Sequence, residues 1–275
     1  MSNTTFTKFV ALGDSFTEGV GDLSPESPNG VLGWADRTAY ELARTMPDLG
    51  YANLAIRGHV LAQVIDAQLE PALAMQPDLV AISAGGNDIL RPSVDLDSLM
   101  ERYDSTIAKL AGTGARVIVF TTFDGSFDAL YKRLRGRAAT YNEYLRGIAD
   151  DHGAEIVDFW RMKDFSDRRM WSTDRLHLNE IGHTRMAAEV LDVIGVPHDL
   201  RPPPFPPLTE RTRGEIRRED LEWTRDTLIP WIGRRIRGVS TGDGLPAKYA
   251  DLFPAMQLPV GQRELRTEQA TASAG

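Results

Sequence analysis

A three-layer α/β/α sandwich on a five-stranded parallel sheet is the fold class this sequence predicts, from three observations. Short apolar, β-branched runs alternate with longer segments of helical period. The short runs are nearly continuously apolar, as strands are when helices cover both sheet faces. Each connection is long enough for a right-handed crossover.

The elements follow in order. KFVALG (8–13) reads as the first strand, GWADRTAYELARTM (33–46) as a helix and YANLAI (51–56) as the second strand. HVLAQVIDAQLEPAL (59–73) is helical in period and DLVAISA (78–84) is the third strand. A helix around Leu96 to Ala111 precedes the apolar run RVIVFTT (116–122), the fourth strand. A long helical pattern near Tyr131 to Asp151 leads to AEIVDFW (154–160), the fifth, and NEIGHTRMAAEVLDVI (179–194) closes the series. Around Pro197 the character changes. RPPPFPPL (201–208) holds five prolines in eight residues, so it is a strap or linker. The charged segment from Leu208 to Gly238 reads as helix until Pro230, and GQRELRTEQATASAG (261–275) as a disordered tail.

Composition narrows the function. The formal charge of −8 repels a phosphate backbone, which excludes nucleic acid as the main partner. With no cysteine there is no disulfide framework, no thiolate nucleophile and no Cys-based metal site. FVAL is too short for the core of a signal peptide, and no stretch approaches the roughly 20 apolar residues of a membrane span. A cytoplasmic protein is expected.

In an open parallel sheet, ligands bind beyond the carboxyl ends of the strands, so the loops after each strand are where chemistry is sought. Ser15 follows the first strand in ALGDSFTEG. Two readings fit it. With Glu18 three residues on, it forms a capping-box pattern; at a helix start beside backbone N–H groups it is also placed for nucleophilic attack. The five histidines are His59, His152, His177, His183 and His198. Only His177 has a well-placed carboxylate, Asp174 three residues earlier, able to hold one ring nitrogen while the other faces Ser15. His183 reads as a packing or surface residue and His59 as a wall. Neither a metal nor a cofactor is expected. Gly58, after the second strand, and Asn87, after the third, can each bring an N–H donor to the same cleft, although Gly and Asn-Asp clusters also make ordinary turns.

Taken together, GDSFTEG, Gly58, GGND and DRLH resemble the four blocks of the SGNH (GDSL-type) hydrolases, over about residues 8 to 195. The resemblance implies a flavodoxin-like sheet in the order 2-1-3-4-5 and a catalytic domain over 1–198, with 199–275 as an extension. It implies Ser15 as nucleophile and first oxyanion donor, Gly58 and Asn87 as the other donors, and Asp174 with His177 completing a triad. The activity implied is cofactor-free hydrolysis of a small-molecule acyl ester through an acyl-enzyme. An acyltransferase, or a non-catalytic binder using the same cleft, is the alternative. The α/β-hydrolase elbow, G-x-S-x-G on a strand deep in the sheet, does not fit, because residue 17 is Thr.

The loops 21–33 and 123–136 are expected to flank the cleft, the second through Phe123, Asp124, Phe127, Asp128, Leu130, Tyr131, Lys132 and Arg133. Beyond residue 198, Trp223, Leu228, Ile229, Trp231 and Ile232 form an arm expected to pack on the sandwich or on a second subunit. The other reading is membrane contact, with Arg234, Arg235 and Arg237 facing anionic lipid.

Overall fold

A computed structural model describes residues 5–207, 212–230, 233 and 239–260. Trp231, Ile232, Arg234, Arg235, Arg237 and the segment 261–275 lie outside the described residues.

Strands β1 (Lys8–Gly13), β2 (Gly50–Asn53), β3 (Leu79–Ser83), β4 (Arg116–Phe120) and β5 (Glu155–Val157) run parallel in the order 2-1-3-4-5. The sheet departs from expectation at one edge. It has six strands rather than five, because β6 (Tyr249–Pro254), drawn from the C-terminal extension, pairs antiparallel with β2. An antiparallel neighbour needs no crossover helix, and Pro254 is tolerated because β6 lies on the edge.

Between the strands lie α1 (Ser15–Glu18), α2 (Trp34–Thr45), α3 (Leu61–Val64), α4 (Glu70–Ala74), α5 (Gly86–Ile89), α6 (Leu96–Ala111), α7 (Ala129–Lys132), α8 (Arg135–His152) and α9 (Glu180–Val193). Helices α3 and α4 are joined through a wider π turn, Ile65–Leu69, just before Pro71, whose missing N–H cannot continue an α ladder. Beyond the proline-rich segment, α10 (Arg213–Trp223) begins at Thr212, which forms a true capping box with Glu215.

Strand periodicity sorts the core. Phe9 and Ala11 face one side of the sheet with Trp34, Leu42, Met186 and Val190, from α2 and α9. Val10 and Leu12 face the other with Leu61, Leu99, Tyr103 and Leu145, from α3, α6 and α8. Burying apolar side chains on both faces fixes the strand ends rigidly, and the cleft opens at those ends.

Candidate active site

The turn after β1 is shaped before any chemistry. Gly13 has φ +147°, and a Cβ there would collide with the Ser83 carbonyl of β3. The buried Gln68 side chain clamps Gly13 from across the core, accepting from its N–H at 2.8 Å and donating to its carbonyl at 2.9 Å. Asp14 then caps α1, its carboxylate accepting from Phe16 N at 3.1 Å.

This corrects the capping-box reading of Ser15. The cap lies one residue earlier, so Ser15 is the first helical residue and its hydroxyl is left for other work. Glu18 is drawn elsewhere. Its buried carboxylate accepts from Arg57 N at 2.7 Å and from the Arg57 guanidinium at 2.6 Å, joining the turn after β1 to the turn after β2.

The structure brings three of the expected residues into one line. His177 Nδ1 lies 2.7 Å from Asp174 Oδ2, and His177 Nε2 lies 2.9 Å from Ser15 Oγ. Since an ionised carboxylate only accepts, the Nδ1 proton belongs to that bond, and Nε2 accepts the Ser15 hydroxyl. The other oxygen of Asp174 accepts from Ser172 Oγ at 2.5 Å, Leu176 N at 2.9 Å and His177 N at 3.0 Å. Burial opposes ionisation of Asp174, but its hydrogen bond to His177 and electrostatic attraction to that ring, with the Ser172 hydroxyl and Leu176 N–H, hold it well below the usual carboxylate range.

Gly58 and Asn87 reach the same cleft, on different terms. Gly58 sits in a turn at φ +86°, three residues before α3. A Cβ on it would strike Ser240 of the extension. Asn87 is buried in α5, and its amide donates to Asp14 Oδ2 at 2.9 Å and to the His59 carbonyl at 2.8 Å. His183 proves to be a packing residue, fully buried between Trp34 N and the Val20 carbonyl, each at 3.2 Å.

The cleft has a volume of about 670 Å³. Its aromatic wall is Phe16, Phe120, Phe123, Phe159 and Trp171, packed in edge-to-face, tilted and stacked pairs, with Phe123 and Trp171 ring centroids 4.7 Å apart. Loop 123–136 lines it through Phe123 and Tyr131 of the residues expected, and otherwise through Gly125, Leu134 and Arg135. Loop 21–33 does not. It folds away on the buried Asp22–Arg37 ion pair at 2.7 Å. In its place stand residues the sequence reading passed over, Thr227, Val239, Ser240, Thr241 and Asp243. Trp223 packs back on the sandwich, its indole N–H donating to the Asp174 carbonyl at 2.9 Å. Among the described residues, no group of three or more His, Asp or Glu side chains is arranged to hold a metal ion. Nor is any helix long and apolar enough to cross a membrane.

With this geometry in view, the chain was compared with known proteins. The model of the GDSL-like Lipase/Acylhydrolase family matches residues 11–185, well over half of the chain and every block on which the site was read. The chain belongs to that family. Its chemistry is accordingly that of a carboxylic ester hydrolase. No curated protein sequence matches it significantly. Among solved structures it is similar to Axe2, an acetylxylan esterase from Geobacillus stearothermophilus, at 22% identity and TM-score 0.59, over 72% of this chain and 98% of that one. It is also similar to LAE5, an alpha/beta hydrolase enzyme from the metagenome of Lake Arreo, Spain, at 23% identity and TM-score 0.58, over 70% of this chain and 96% of that one. At such identity the likeness establishes the fold. This GDSL-family chain is longer than either, and the part that builds β6 lies beyond the family match.

Proposed function

We propose that this GDSL-family chain cleaves short acyl esters through a Ser15–His177–Asp174 triad and an acyl-enzyme. The observation that carries the reading is the continuous line from Asp174 Oδ2 to His177 at 2.7 Å and from His177 to Ser15 Oγ at 2.9 Å, opening on the cleft. His177 takes the hydroxyl proton as Ser15 Oγ bonds to the ester carbonyl carbon. Asp174 stays ionised and balances the imidazolium. His177 then returns the proton to the departing alcohol, and water, deprotonated by the same ring, releases the acid.

The charge that develops on the carbonyl oxygen falls to the N–H of Ser15, the N–H of Gly58 and the amide of Asn87. For Asn87 this role requires that the hydrogen now given to Asp14 be shared with the oxyanion, a contact formed only in the transition state. The aromatic wall supports a short acyl group, and polar residues that also line the cleft, Gln63, Thr241 and Asp243, support a hydroxylated alcohol. Axe2, whose substrate is an acetylated sugar polymer by its description, is consistent with that choice.

The test is turnover of p-nitrophenyl esters from acetate to octanoate, beside an acetylated xylo-oligosaccharide. Acetate is expected to be cleaved fastest. Ser15→Ala and His177→Ala are expected to lose a factor on the order of 10⁴ or more, and a fluorophosphonate probe to label wild type and not Ser15→Ala. Labelling that persists in Ser15→Ala overturns the nucleophile. Labelling without turnover of any ester favours acyl transfer or binding.

A further inference from the structure

Helix α1 is a single turn, too short to satisfy its own carbonyls. Its carbonyl end is held from outside. Thr17 O accepts from Asn53 Nδ2 at 3.0 Å, and Glu18 O accepts from Lys248 Nζ at 2.9 Å. Lys248 also donates to the carbonyl of Leu32, and its ammonium lies 2.6 Å from Asp36 Oδ2. Both side chains are completely buried, and Asp36 is tied further to Tyr51 by a 2.9 Å hydrogen bond. The ammonium thus gives two hydrogens to the carbonyls of Glu18 and Leu32, and its charge is balanced by the Asp36 carboxylate. Burial pushes Lys248 down and Asp36 up, each opposed by the charge of the other.

The same segment also grips the neighbouring turn. Ser240 Oγ donates to the Arg57 carbonyl at 2.8 Å, next to Gly58, and Gly242 packs so closely on that carbonyl that a Cβ would collide with it. Asn29 joins the two ends, donating to Glu18 Oε1 at 3.1 Å and to the Pro246 carbonyl at 3.2 Å.

Resting on the esterase reading of the cleft, we propose that residues 239–254 are a working part of the site: this strap sets the turn carrying Ser15 against the turn carrying Gly58, with Lys248 as its positioning residue. The family match ends at residue 185, so the device lies outside the part of the chain that the family model covers. Because Lys248 grips α1 from behind, it touches no reacting atom. It acts by keeping the attacking oxygen and the oxyanion donors in register, where a displacement of about 1 Å can cost on the order of 100-fold in rate.

Three variants of the full chain test this: Lys248→Met, the double variant Asp36→Asn with Lys248→Met, and Ser240→Ala. The readouts are Tm, kcat and KM on p-nitrophenyl acetate per fluorophosphonate-titrated site, and hydrogen exchange of peptides covering 13–20 and 55–60. Lys248→Met is expected to lower Tm by several degrees and kcat by about tenfold or more, with KM held within about twofold. The double variant removes the stranded carboxylate but not the missing donors, so Tm recovers while kcat does not. Exchange rises at 13–20 in both and at 55–60 in Ser240→Ala. Wild-type kcat per site together with wild-type exchange in the double variant or in Ser240→Ala overturns the proposal. If the wild-type protein cleaves no ester, the esterase reading falls, and exchange alone decides the strap: a rise in these peptides supports it, and no change removes it.

Discussion

At Gly13 a single backbone angle decides where the turn carrying Ser15 begins. Any side chain there would meet the Ser83 carbonyl at a φ of +147° that other residues rarely adopt. Gly13→Ala is therefore expected to destabilise the fold by more than about 2 kcal/mol in urea denaturation. His183 makes a different kind of prediction. Burial pushes it down to about 4, against the raising pull of Asp22 and the Val20 carbonyl. Between that value and the ordinary one near 6.5, the unfolded chain binds a proton that the folded chain refuses. Stability is thus full above about pH 6.5 and falls as pH drops toward 4, by roughly 3 kcal/mol from this residue. His183→Gln, which keeps one donor and one acceptor, is expected to flatten the difference between urea midpoints at pH 7.5 and pH 4.5. An unchanged slope refutes the assignment.

At the scale of elements, the Glu18–Arg57 pair is the joint between the first two turns of the cleft. Glu18→Ala is expected to cost about 3–5 kcal/mol, because it strands a largely buried guanidinium, and Glu18→Gln less; thermal melts of the two variants separate these outcomes. Strands β1 to β4 were legible in the sequence because each is buried over most of its length and so reads as a largely apolar run, and β5, part-buried at Glu155 and Ile156, reads as a shorter one. β6 was not. It is an edge strand in which Ala250, Asp251 and Leu252 are exposed, so no apolar pattern marks it. The cap of α1 was misplaced by one residue for a related reason. Ser15 and Glu18 have the spacing of a capping box, but Arg57, distant in sequence, claims Glu18, and Asp14 is the nearer acceptor for the helix N–H. The contact line from Asp174 through His177 to Ser15 was legible because Asp174 and His177 are close in the chain and only Ser15 had to be found elsewhere. That the Asn87 amide is already engaged by Asp14 and His59 is a tertiary fact with no local signature.

For the molecule as a whole, the extension contributes to the sheet and to the cleft at once. Cutting the chain after residue 198 uncovers the edge of β2 and leaves the Asp36 carboxylate buried without its ammonium. The shortened protein is expected to express poorly or precipitate, and size-exclusion chromatography of the soluble fraction will show it; a monomer with the Tm of the full chain would contradict this. The bond from Lys248 to the Glu18 carbonyl also spans 230 residues of sequence. Contacts this distant form late, since a long loop must close before they are rewarded. Because a chain is made from its N-terminus, the turn holding Ser15 emerges well before Lys248, which follows Glu18 by 230 residues. Where the strap sets the Ser15 turn, as proposed, the cleft stays catalytically silent until Lys248 has been synthesised.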